Sequence, residues 1–486
     1  MSVKLDWEIE AERAVVTGIG ESPQEVRRRR VASRQAILAV ALIVLTILGV
    51  IGVIFWRLWT VDRAIEQQLR DVVAAETTAL RIGDIAGYLA IQRSDSDAWL
   101  LGQTDLFWNY QQLKLEHTVD LSGRILDLAI DESRARVMVE EIIDGRPHRV
   151  LWFYWRYADG WRHVPMDVEF WGGDALSEGE NFSIAYGGLD EPLAMALRPS
   201  LETLWGQGCA WLGCAAPLPL LTVRVLPDPT VGVSWSSDEA NTLLIASPLT
   251  GRARADVPIE PDLQRRIGDL LAQRVLAHAT VGLTPLPEAD AAFLYNALEE
   301  WLVGRFLGGA PGSTFIESLA QSYGERAVGI LARALRPDSS IALFSTVFPL
   351  ALDELVIDWR EFFQWRLALE LFLLSQGNSA ALLGLYDASA LEQAFTLIDD
   401  PDAVARPIPT VLSVSIGPGS DGVSRAWVTV QTADGGEAVI TFRLADGVWK
   451  RSLSDPAYPA TSSAMPHVGA LTARRKLCML APNGVI

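Results

Sequence analysis

Cysteine and histidine are scarce in this sequence: its 486 residues include three cysteines and five histidines. Three cysteines are too few for a fold that depends on a disulfide scaffold. Cys209 and Cys214 could pair in an oxidising compartment, which would leave Cys478 without a partner. All three could equally be buried or free thiols, so the sequence leaves their pairing open.

Positive charge is scarce beyond the first 35 residues. The chain sums to −19, and residues 1–35 carry seven Lys/Arg against six Asp/Glu, or +1, so the remainder carries about −20 (−19 minus +1). A nucleic-acid interface needs clustered Lys and Arg opposite the phosphates. An acidic remainder therefore excludes nucleic acid as a partner.

An uninterrupted apolar run covers 36–56, which is 21 residues without a charge. About 20 helical residues, each rising about 1.5 Å, cross a hydrocarbon core of roughly 30 Å. A cleaved signal peptide has an apolar core of only about 7–15 residues and a small-residue cleavage site, whereas bulky Phe55, Trp56 and Trp59 stand at the end of this run. The run predicts an uncleaved transmembrane helix over 36–58 that contacts membrane lipid.

The residues on the two sides of the run predict its orientation. Cytoplasmic flanks of spanning helices are enriched in Lys and Arg, and Trp is enriched at the membrane–water interface. The flanking residues are Arg27, Arg28, Arg29, Arg30 and Arg34 before the run, and Trp56 and Trp59 at its end. We expect a cell-membrane protein with residues 1–35 as a cytoplasmic tail and with its C-terminal domains outside the cytoplasm.

Two segments, 61–172 and 356–453, repeat one order of elements. Each begins with an apolar-striped helix that breaks at a glycine, Gly83 or Gly377, and continues with a short helix. Strand-like runs follow, separated by Asp-Gly pairs that are typical of hairpin turns. The offsets between matching positions are similar, 294 (377 − 83) at the glycines and 287 (446 − 159) at the last Asp-Gly pairs. They predict a diverged internal duplication.

A helix, a short helix and a meander of antiparallel strands resemble the nuclear-transport-factor-2-like domains, a group that includes ketosteroid isomerase and SnoaL. The resemblance implies two cone-like α+β domains, in a family that includes enzymes as well as proteins that only bind or dimerise. No catalytic residue of the family can be placed on this sequence. His117, His163 and Asp167 could lie at the mouth of the first cone, and a surface or hydrogen-bonded role is favoured for each.

Aromatic residues cluster between positions 152 and 171, a pattern that also occurs at ligand-binding surfaces. Side chains alternate along a strand, so Trp152 and Tyr154 face one way while Phe153, Trp155 and Tyr157 face the other. A sheet covered on both faces accounts for this pattern without a ligand. We predict core and interface roles for these rings.

In the middle region, 174–355, short strand-like runs precede a helix that carries His278 and a next helix that carries Glu299. This order resembles the gluzincin-type (peptidase MA-like) zinc peptidases. In that family a His-Glu-x-x-His helix supplies two zinc ligands and the general base, and a Glu on the next helix supplies the third ligand. Here His278 matches the first ligand and Glu299, 21 residues later, matches the third. Ala279 replaces the general-base Glu, and Gly282 replaces the second His.

Zinc-dependent hydrolysis needs two imidazoles on one helix face and a carboxylate that deprotonates the metal-bound water. One His and one Glu do not hold a catalytic zinc tightly. We therefore predict a degenerate domain with no catalytic residue, no metal and no cofactor. The sequence also lacks a G-x-S-x-G nucleophile elbow, and its glycine-rich run at 308–314 lacks the lysine of a phosphate-binding loop.

The sequence predicts an α+β multidomain protein. Its parts are a cytoplasmic tail (1–35), a transmembrane helix (36–58), a cone-like domain (61–172), a mostly helical gluzincin-like domain (174–355), a second cone-like domain (356–453) and a tail (454–486). We expect a non-catalytic extracytoplasmic binding, scaffolding or sensing protein whose ligand is a peptide or protein. The alternative is an extracytoplasmic hydrolase or small-molecule enzyme with an unrecognised site. The ligand, the oligomeric state and any signalling by the tail stay open.

Overall fold

The computed structural model describes residues 23–215, 217–310 and 312–453 of a mixed α+β chain, which confirms the fold class at that level. The chain divides into two compact units, one up to Phe170 and one from Trp171 onward. Some predictions lie outside the described residues. They concern residues 1–22, the tail at 454–486 with Cys478, and the side chains of Arg29, Arg30 and Arg34.

One uninterrupted helix, α1 (Pro23–Ile82), contains the predicted membrane span and continues into the first unit. Residues 40–64 are exposed along it, whereas Leu69, Val73 and Leu80 are buried. It is the one helix in the described part of the chain that is long and apolar enough to cross a membrane. The helix runs across the predicted segment boundaries at 35 and 58 because no proline follows Pro23 in it to interrupt the backbone hydrogen bonds.

The rest of the first unit consists of two shorter helices and an antiparallel sheet. The elements are α2 (Ile85–Ile91), α3 (Asp97–Glu116), β1 (Val119–Asp120), β2 (Ile125–Asp131), β3 (Arg134–Ile143), β4 (Arg146–Tyr157) and β5 (Gly160–Val164). Strands β2 to β5 pair in chain order, and β1 pairs with the end of β3. The β3–β4 hairpin turns at Asp144 and Gly145, where the sequence predicts it. Both residues have the positive φ, 49° and 76°, that a two-residue hairpin turn requires.

The second unit begins with a mixed sheet that is followed by helices. Its strands are β6 (Asp174–Glu178), β7 (Phe182–Gly187), β8 (Leu221–Leu226), β9 (Val233–Trp235), β10 (Thr242–Ala246) and β11 (Arg252–Arg254). Its helices are α4 (Glu191–Leu212), α5 (Pro261–Ala279), α6 (Asp290–Leu307), α7 (Thr314–Tyr323), α8 (Glu325–Ala334) and α9 (Leu343–Val347). The sheet order is β6-β7-β8-β10-β9, and the central pairs β7–β8 and β8–β10 are parallel.

The second unit ends with the same order of elements as the first. Three helices, α10 (Arg360–Ser375), α11 (Ser379–Gly384) and α12 (Leu391–Asp399), precede four strands, β12 (Thr410–Pro418), β13 (Ser424–Gln431), β14 (Glu437–Ala445) and β15 (Val448–Ser452). These strands pair antiparallel in chain order. The stretches predicted as separate domains at 174–355 and 356–453 share one hydrophobic core, in which Phe293 of α6 packs on Phe362 of α10.

Cys209 and Cys214 form a disulfide at the end of α4, with their Cα atoms 4.9 Å apart. Gly213 lies between them in the left-handed conformation that ends many helices, and its N–H donates to the carbonyl oxygen of Cys209. The pairing that the sequence leaves open is therefore made in the structure. It fixes the chain that leaves α4 against the last turn of that helix.

A buried ion pair links α6 to α10 inside the second unit. The Nη1 atom of Arg366, whose side chain is 1% exposed, lies 3.5 Å from Oδ1 of Asp290, and Nη2 donates to the carbonyl oxygen of Trp449. Asp290 also accepts a 2.8 Å hydrogen bond from the backbone N–H of Ile341. Burial raises the pKa of Asp290 against the opposing effect of Arg366.

We expect Arg366→Met to lower the free energy of unfolding by about 3–5 kcal/mol, because it leaves the Asp290 carboxylate buried without a cation. Asp290→Asn added to Arg366→Met should recover most of that loss, since the amide carries no charge. Arg326→Met, at an exposed arginine, should change the free energy by less than about 0.5 kcal/mol. Denaturant unfolding of the full chain in detergent, followed by near-ultraviolet circular dichroism, measures all three. A single variant as stable as the parent would contradict the role of the pair.

Candidate functional site

The helix that carries His278 ends before the zinc motif would be complete. Helix α5 ends at Ala279, and the following Val281 and Gly282 have φ angles of 55° and 71°. Side chains four residues apart share a face only on a continuous helix. Positions 278 and 282 therefore do not form a two-ligand face, whatever side chain stands at 282.

The side chains of His278 and Glu299 have separate hydrogen-bond partners. Nε2 of His278 lies 3.2 Å from the carbonyl oxygen of Ala215, and Glu299 accepts a 2.8 Å hydrogen bond from Nε2 of Gln273. Gln273 precedes His278 by five residues, about 7.5 Å along the helix. Within the described ranges, no group of three His, Cys, Asp or Glu side chains is placed to hold a metal ion.

A groove of about 510 Å³ lies beside Glu299, between α5, α6 and the glycine-rich loop that follows α6. Its lining includes Asp269, Glu299, Glu300 and Arg265. Burial, together with the charges of Glu361 and Glu299, raises the pKa of Glu300. We call this surface the acidic groove, because its carboxylates outnumber its single arginine.

A buried carboxylate occupies the core of the first unit. Glu76 on α1 is fully buried, and its two oxygens lie 2.6 Å from Nδ1 of His163, 2.8 Å from Nε2 of Gln92 and 2.7 Å from the hydroxyl of Tyr154. Burial and the nearby Glu76 raise the pKa of Tyr154 well above its usual value, so the phenol stays protonated and donates to Glu76. We call these four side chains the first carboxylate cluster.

Aromatic rings enclose the histidine of this cluster. The ring centroids of Trp99, Trp152 and Tyr154 lie 5.2–5.9 Å from that of His163, whose exposure is 7%. The second ring nitrogen of His163, Nε2, makes no hydrogen bond to any residue that the structure describes. The carboxylate of Glu76 therefore holds the imidazole at Nδ1 and leaves Nε2 as its one unused polar atom.

The second unit has a matching cluster around Glu370, which follows Glu76 by 294 residues (370 − 76). Glu370 on α10 is 3% exposed and accepts hydrogen bonds from the hydroxyl of Tyr386 at 3.0 Å and from Nη1 of Arg451 at 2.9 Å. Tyr386, in the segment that follows α11, and Arg451 of β15 form an isolated parallel bridge. Gln92 and His163 form the same bridge in the first unit. The two clusters therefore occupy matching places in the two repeats.

The strand register extends this correspondence to a fourth position. Tyr154 pairs with His163 across β4 and β5, and Phe442 pairs with Arg451 across β14 and β15. The buried carboxylate is thus present in both repeats, whereas its glutamine, tyrosine and histidine partners are replaced by tyrosine, phenylalanine and arginine. This agreement of position supports the internal duplication that the sequence predicts.

Sequence reasoning missed both buried glutamates. The signal was present, because the offset of 294 between Glu76 and Glu370 is the offset between Gly83 and Gly377. A charged residue on the apolar side of a predicted helix is assigned to solvent by default, since a single buried carboxylate does not change the helical pattern. The burial of such a glutamate can be recognised only from the tertiary structure, in which other elements supply its hydrogen-bond donors.

The three candidates near the mouth of the first cone have different environments. His163 belongs to the first carboxylate cluster. His117 is half exposed, and its Nδ1 lies 2.6 Å from Oδ2 of Asp144 beside the β3–β4 turn. Asp167 accepts a hydrogen bond at 3.2 Å from Arg134. His117 and Asp167 therefore have the hydrogen-bonded roles that the sequence analysis favours, and only His163 joins a buried polar cluster.

A cleft of about 760 Å³ lies on the face of the sheet opposite Tyr154, and we call it the aromatic cleft. Trp155 is 43% exposed there, and the guanidinium of Arg93 lies 4.1 Å from the ring centroid of Tyr157. Trp152 and Tyr154 face the core as predicted. A core role for Trp155 does not fit its exposure, because its face of the sheet is not fully covered; the predicted interface role stays a prediction.

The predicted membrane flanks are exposed on α1. Arg27 and Arg28 precede the apolar segment. Trp56 and Trp59 lie at its C-terminal end and are 64% and 51% exposed. The guanidinium of Arg63 lies 3.9 Å from the ring centroid of Trp59, one helical turn earlier. This cation–π contact stands where the helix leaves the apolar segment.

Comparison with models of protein families, with curated proteins and with solved structures gives no match for this chain.

We expect Glu76→Leu to lower the free energy of unfolding by roughly 2–4 kcal/mol, because it leaves the donors of His163, Gln92 and Tyr154 buried without an acceptor. Glu66→Gln is the matched control on the same helix. Glu66 is 41% exposed and forms a surface ion pair with Arg70, so its loss should cost less than about 1 kcal/mol. Thermal and denaturant unfolding of the full chain measures both changes. Equal effects of the two substitutions would show that the cluster does not stabilise the fold.

Proposed function

We propose that this protein is a single-pass membrane-anchored binding, scaffolding or sensing protein whose folded units lie outside the cytoplasm and carry out no catalysis. The observation that carries the proposal is the continuity of α1. One helix has an exposed apolar stretch of membrane-spanning length and then side chains that form the core of the first unit. The folded unit is thereby attached to its anchor without a flexible linker.

Two features support placing the folded units outside the cytoplasm. Disulfides persist mainly in oxidising compartments, and the Cys209–Cys214 bond lies in the second unit. The arginines at 27–30 and 34 precede the span, as in helices whose N-terminal side is cytoplasmic. Both features favour the same orientation.

The end of α5 supports the absence of zinc chemistry from the proposed gluzincin-like domain. The helix ends at Ala279, and Glu299 and His278 have separate hydrogen-bond partners, Gln273 and the carbonyl oxygen of Ala215. A metal site would need a different backbone here as well as different side chains. The proposal is that the middle region is retained for its shape and its packing.

The aromatic cleft is the proposed site for a peptide or protein ligand. It offers an exposed indole, the Arg93–Tyr157 stack, and Arg134 paired with Asp167 and Glu169 at 3.2 and 3.0 Å. Aromatic rings supply contact area at low conformational cost. Charges of both signs on the rim suit the alternating polar groups of a peptide.

An enzyme is the second candidate, and the first carboxylate cluster favours it. A carboxylate that holds one imidazole nitrogen and leaves the other unused is the arrangement of a general base. Neither Glu76 nor His163 lines the aromatic cleft or the acidic groove, however, and both are buried. The cluster therefore supports a stabilising role more strongly than a catalytic one.

We expect the purified full chain to contain much less than one zinc per molecule and to unfold at the same temperature with and without a chelator, because His278 and Glu299 do not converge. His278→Ala and Glu299→Gln should leave metal content unchanged. His148→Ala, at a histidine of the first unit, is the control for non-specific binding. Elemental analysis gives the metal content. One zinc per chain that disappears in His278→Ala alone would overturn the inactive-peptidase proposal.

The proposed orientation predicts which cysteines are labelled in intact cells. In a Cys478→Ser background, Ala98→Cys in the exposed first turn of α3 should react with a membrane-impermeant maleimide. Ser2→Cys should react only after the membrane is permeabilised, because the arginine-rich flank stays in the cytoplasm. The reverse pattern would invert the topology.

A further inference from the structure

A cluster of arginines precedes the apolar stretch of α1. Residues 24–35 contain five arginines and one glutamate, which sum to +4 (5 − 1), and we call them the basic flank. The helix begins at Pro23, so the basic flank and the apolar stretch share one continuous backbone. The side chains of Arg27 and Arg28 are exposed. Like charges this close repel one another, and an anionic partner relieves that repulsion.

The geometry of the helix sets the distance between the basic flank and the hydrocarbon. Arg34 precedes Ala36, the first residue of the apolar run, by two residues, or about 3 Å of helix, and Arg27 precedes it by nine, or about 14 Å. The headgroup layer on each side of a bilayer is roughly 5–8 Å thick, and the field of an anionic leaflet extends about one Debye length, roughly 8 Å, beyond it. In the proposed membrane arrangement, the backbone of the whole basic flank between these two arginines therefore lies within the headgroups or their field.

The opposite end of the apolar stretch has no comparable charge. Residues 57–71 contain three arginines, two aspartates and one glutamate, which sum to zero (3 − 3). The guanidinium of Arg63 stacks on Trp59, and Arg70 pairs with Glu66 at 2.6 Å. Two of these arginines thus contact side chains of α1 itself. The attraction for anions is therefore concentrated at the basic flank.

We propose that the basic flank binds the headgroups of anionic phospholipids in preference to zwitterionic ones. Such binding rests on the proposed membrane anchoring, since only a spanning α1 brings the flank to the headgroups. Clusters of about four to eight basic residues beside a spanning helix attract anionic lipid, and each Lys or Arg adds to the attraction. Arginine suits this partner, because its planar guanidinium can donate two hydrogen bonds to one phosphate group. The bilayer also holds lipid phosphates at the height of the flank, which favours lipid over soluble phosphate.

Lipid retention by the full chain tests this preference. The chain is reconstituted into vesicles of equal parts phosphatidylglycerol and phosphatidylcholine and extracted in mild detergent, and its bound lipid is counted by mass spectrometry. We expect about a threefold or larger excess of phosphatidylglycerol at about 0.1 M salt and nearly equal retention at about 1 M salt, where the Debye length is only about 3 Å. Both leaflets have one composition, so the result does not depend on orientation. Equal retention of the two lipids at low salt would overturn the proposal.

Matched variants show whether the preference comes from the basic flank. Arg27→Gln combined with Arg28→Gln removes two of the four net charges and should lower the excess about twofold. Arg265→Gln combined with Arg266→Gln is the control, because these adjacent arginines are also exposed but belong to α5. The control should retain the parent's excess. A first pair without effect, or an equal fall in both pairs, would contradict binding at the flank.

Two further measurements separate the lipid preference from membrane anchoring and from phosphate binding. Flotation of the vesicles in a density gradient shows whether the chain is anchored. A chain that does not float would overturn the anchor and the lipid preference with it, whereas a chain that floats and retains both lipids equally would overturn the preference alone. Sodium phosphate in place of sodium chloride at equal ionic strength should leave the excess unchanged. Loss of the excess in phosphate alone would assign the basic flank to soluble phosphate instead of lipid.

Discussion

The need to satisfy a buried carboxylate determines how each repeat is assembled. Glu76 and Glu370 have no water to solvate them, and a carboxylate left without donors in a core costs several kcal/mol. Their donors come from the residues that follow the second helix, Gln92 and Tyr386, and from the sheet, so these elements must dock together to satisfy the carboxylate of the first helix. The carboxylate thus makes the docking of helix and sheet an all-or-none event in both repeats.

The two repeats meet this constraint with different chemistry. Glu76 is bound by neutral or titratable side chains within a shell of aromatic rings, whereas Glu370 is bound by Arg451, which stays charged. Arg366, one turn before Glu370, extends the second cluster to Asp290 of α6, and the charge of Glu370 acts on it. The position that precedes Arg366 by 294 residues is Val72, so the first repeat lacks this extension. The ionic link helps to explain why 174–355 and 356–453 share a hydrophobic core.

Much of the fold is predictable from local signals in the sequence. The apolar run predicts the membrane helix, and the Asp-Gly pairs predict the β3–β4 and β14–β15 hairpins, because only a few residue types tolerate the backbone of such turns. The signals that fail are those that depend on distant partners. Gly282 and Pro285 do signal that α5 ends soon after His278. Nothing near Glu299, however, identifies Gln273 as its partner. The sequence analysis treats the membrane span and the first helix of the first repeat as separate segments. The structure joins them in α1, since both segments are helical and no helix-breaking residue separates them.

Under the proposed membrane anchoring, α1 would connect the bilayer rigidly to the first unit. Spanning helices tilt by about 20° on average and tilt further when the bilayer is thin. A helix that extends about 31 Å from Trp59 to Leu80 would move its far end sideways by roughly 11 Å for a tilt of that size. A jointed linker would absorb such a motion, but α1 has no joint, and Leu69 already belongs to the core about 15 Å above Trp59. In the proposed membrane arrangement, changes in bilayer thickness would therefore reorient the first unit itself.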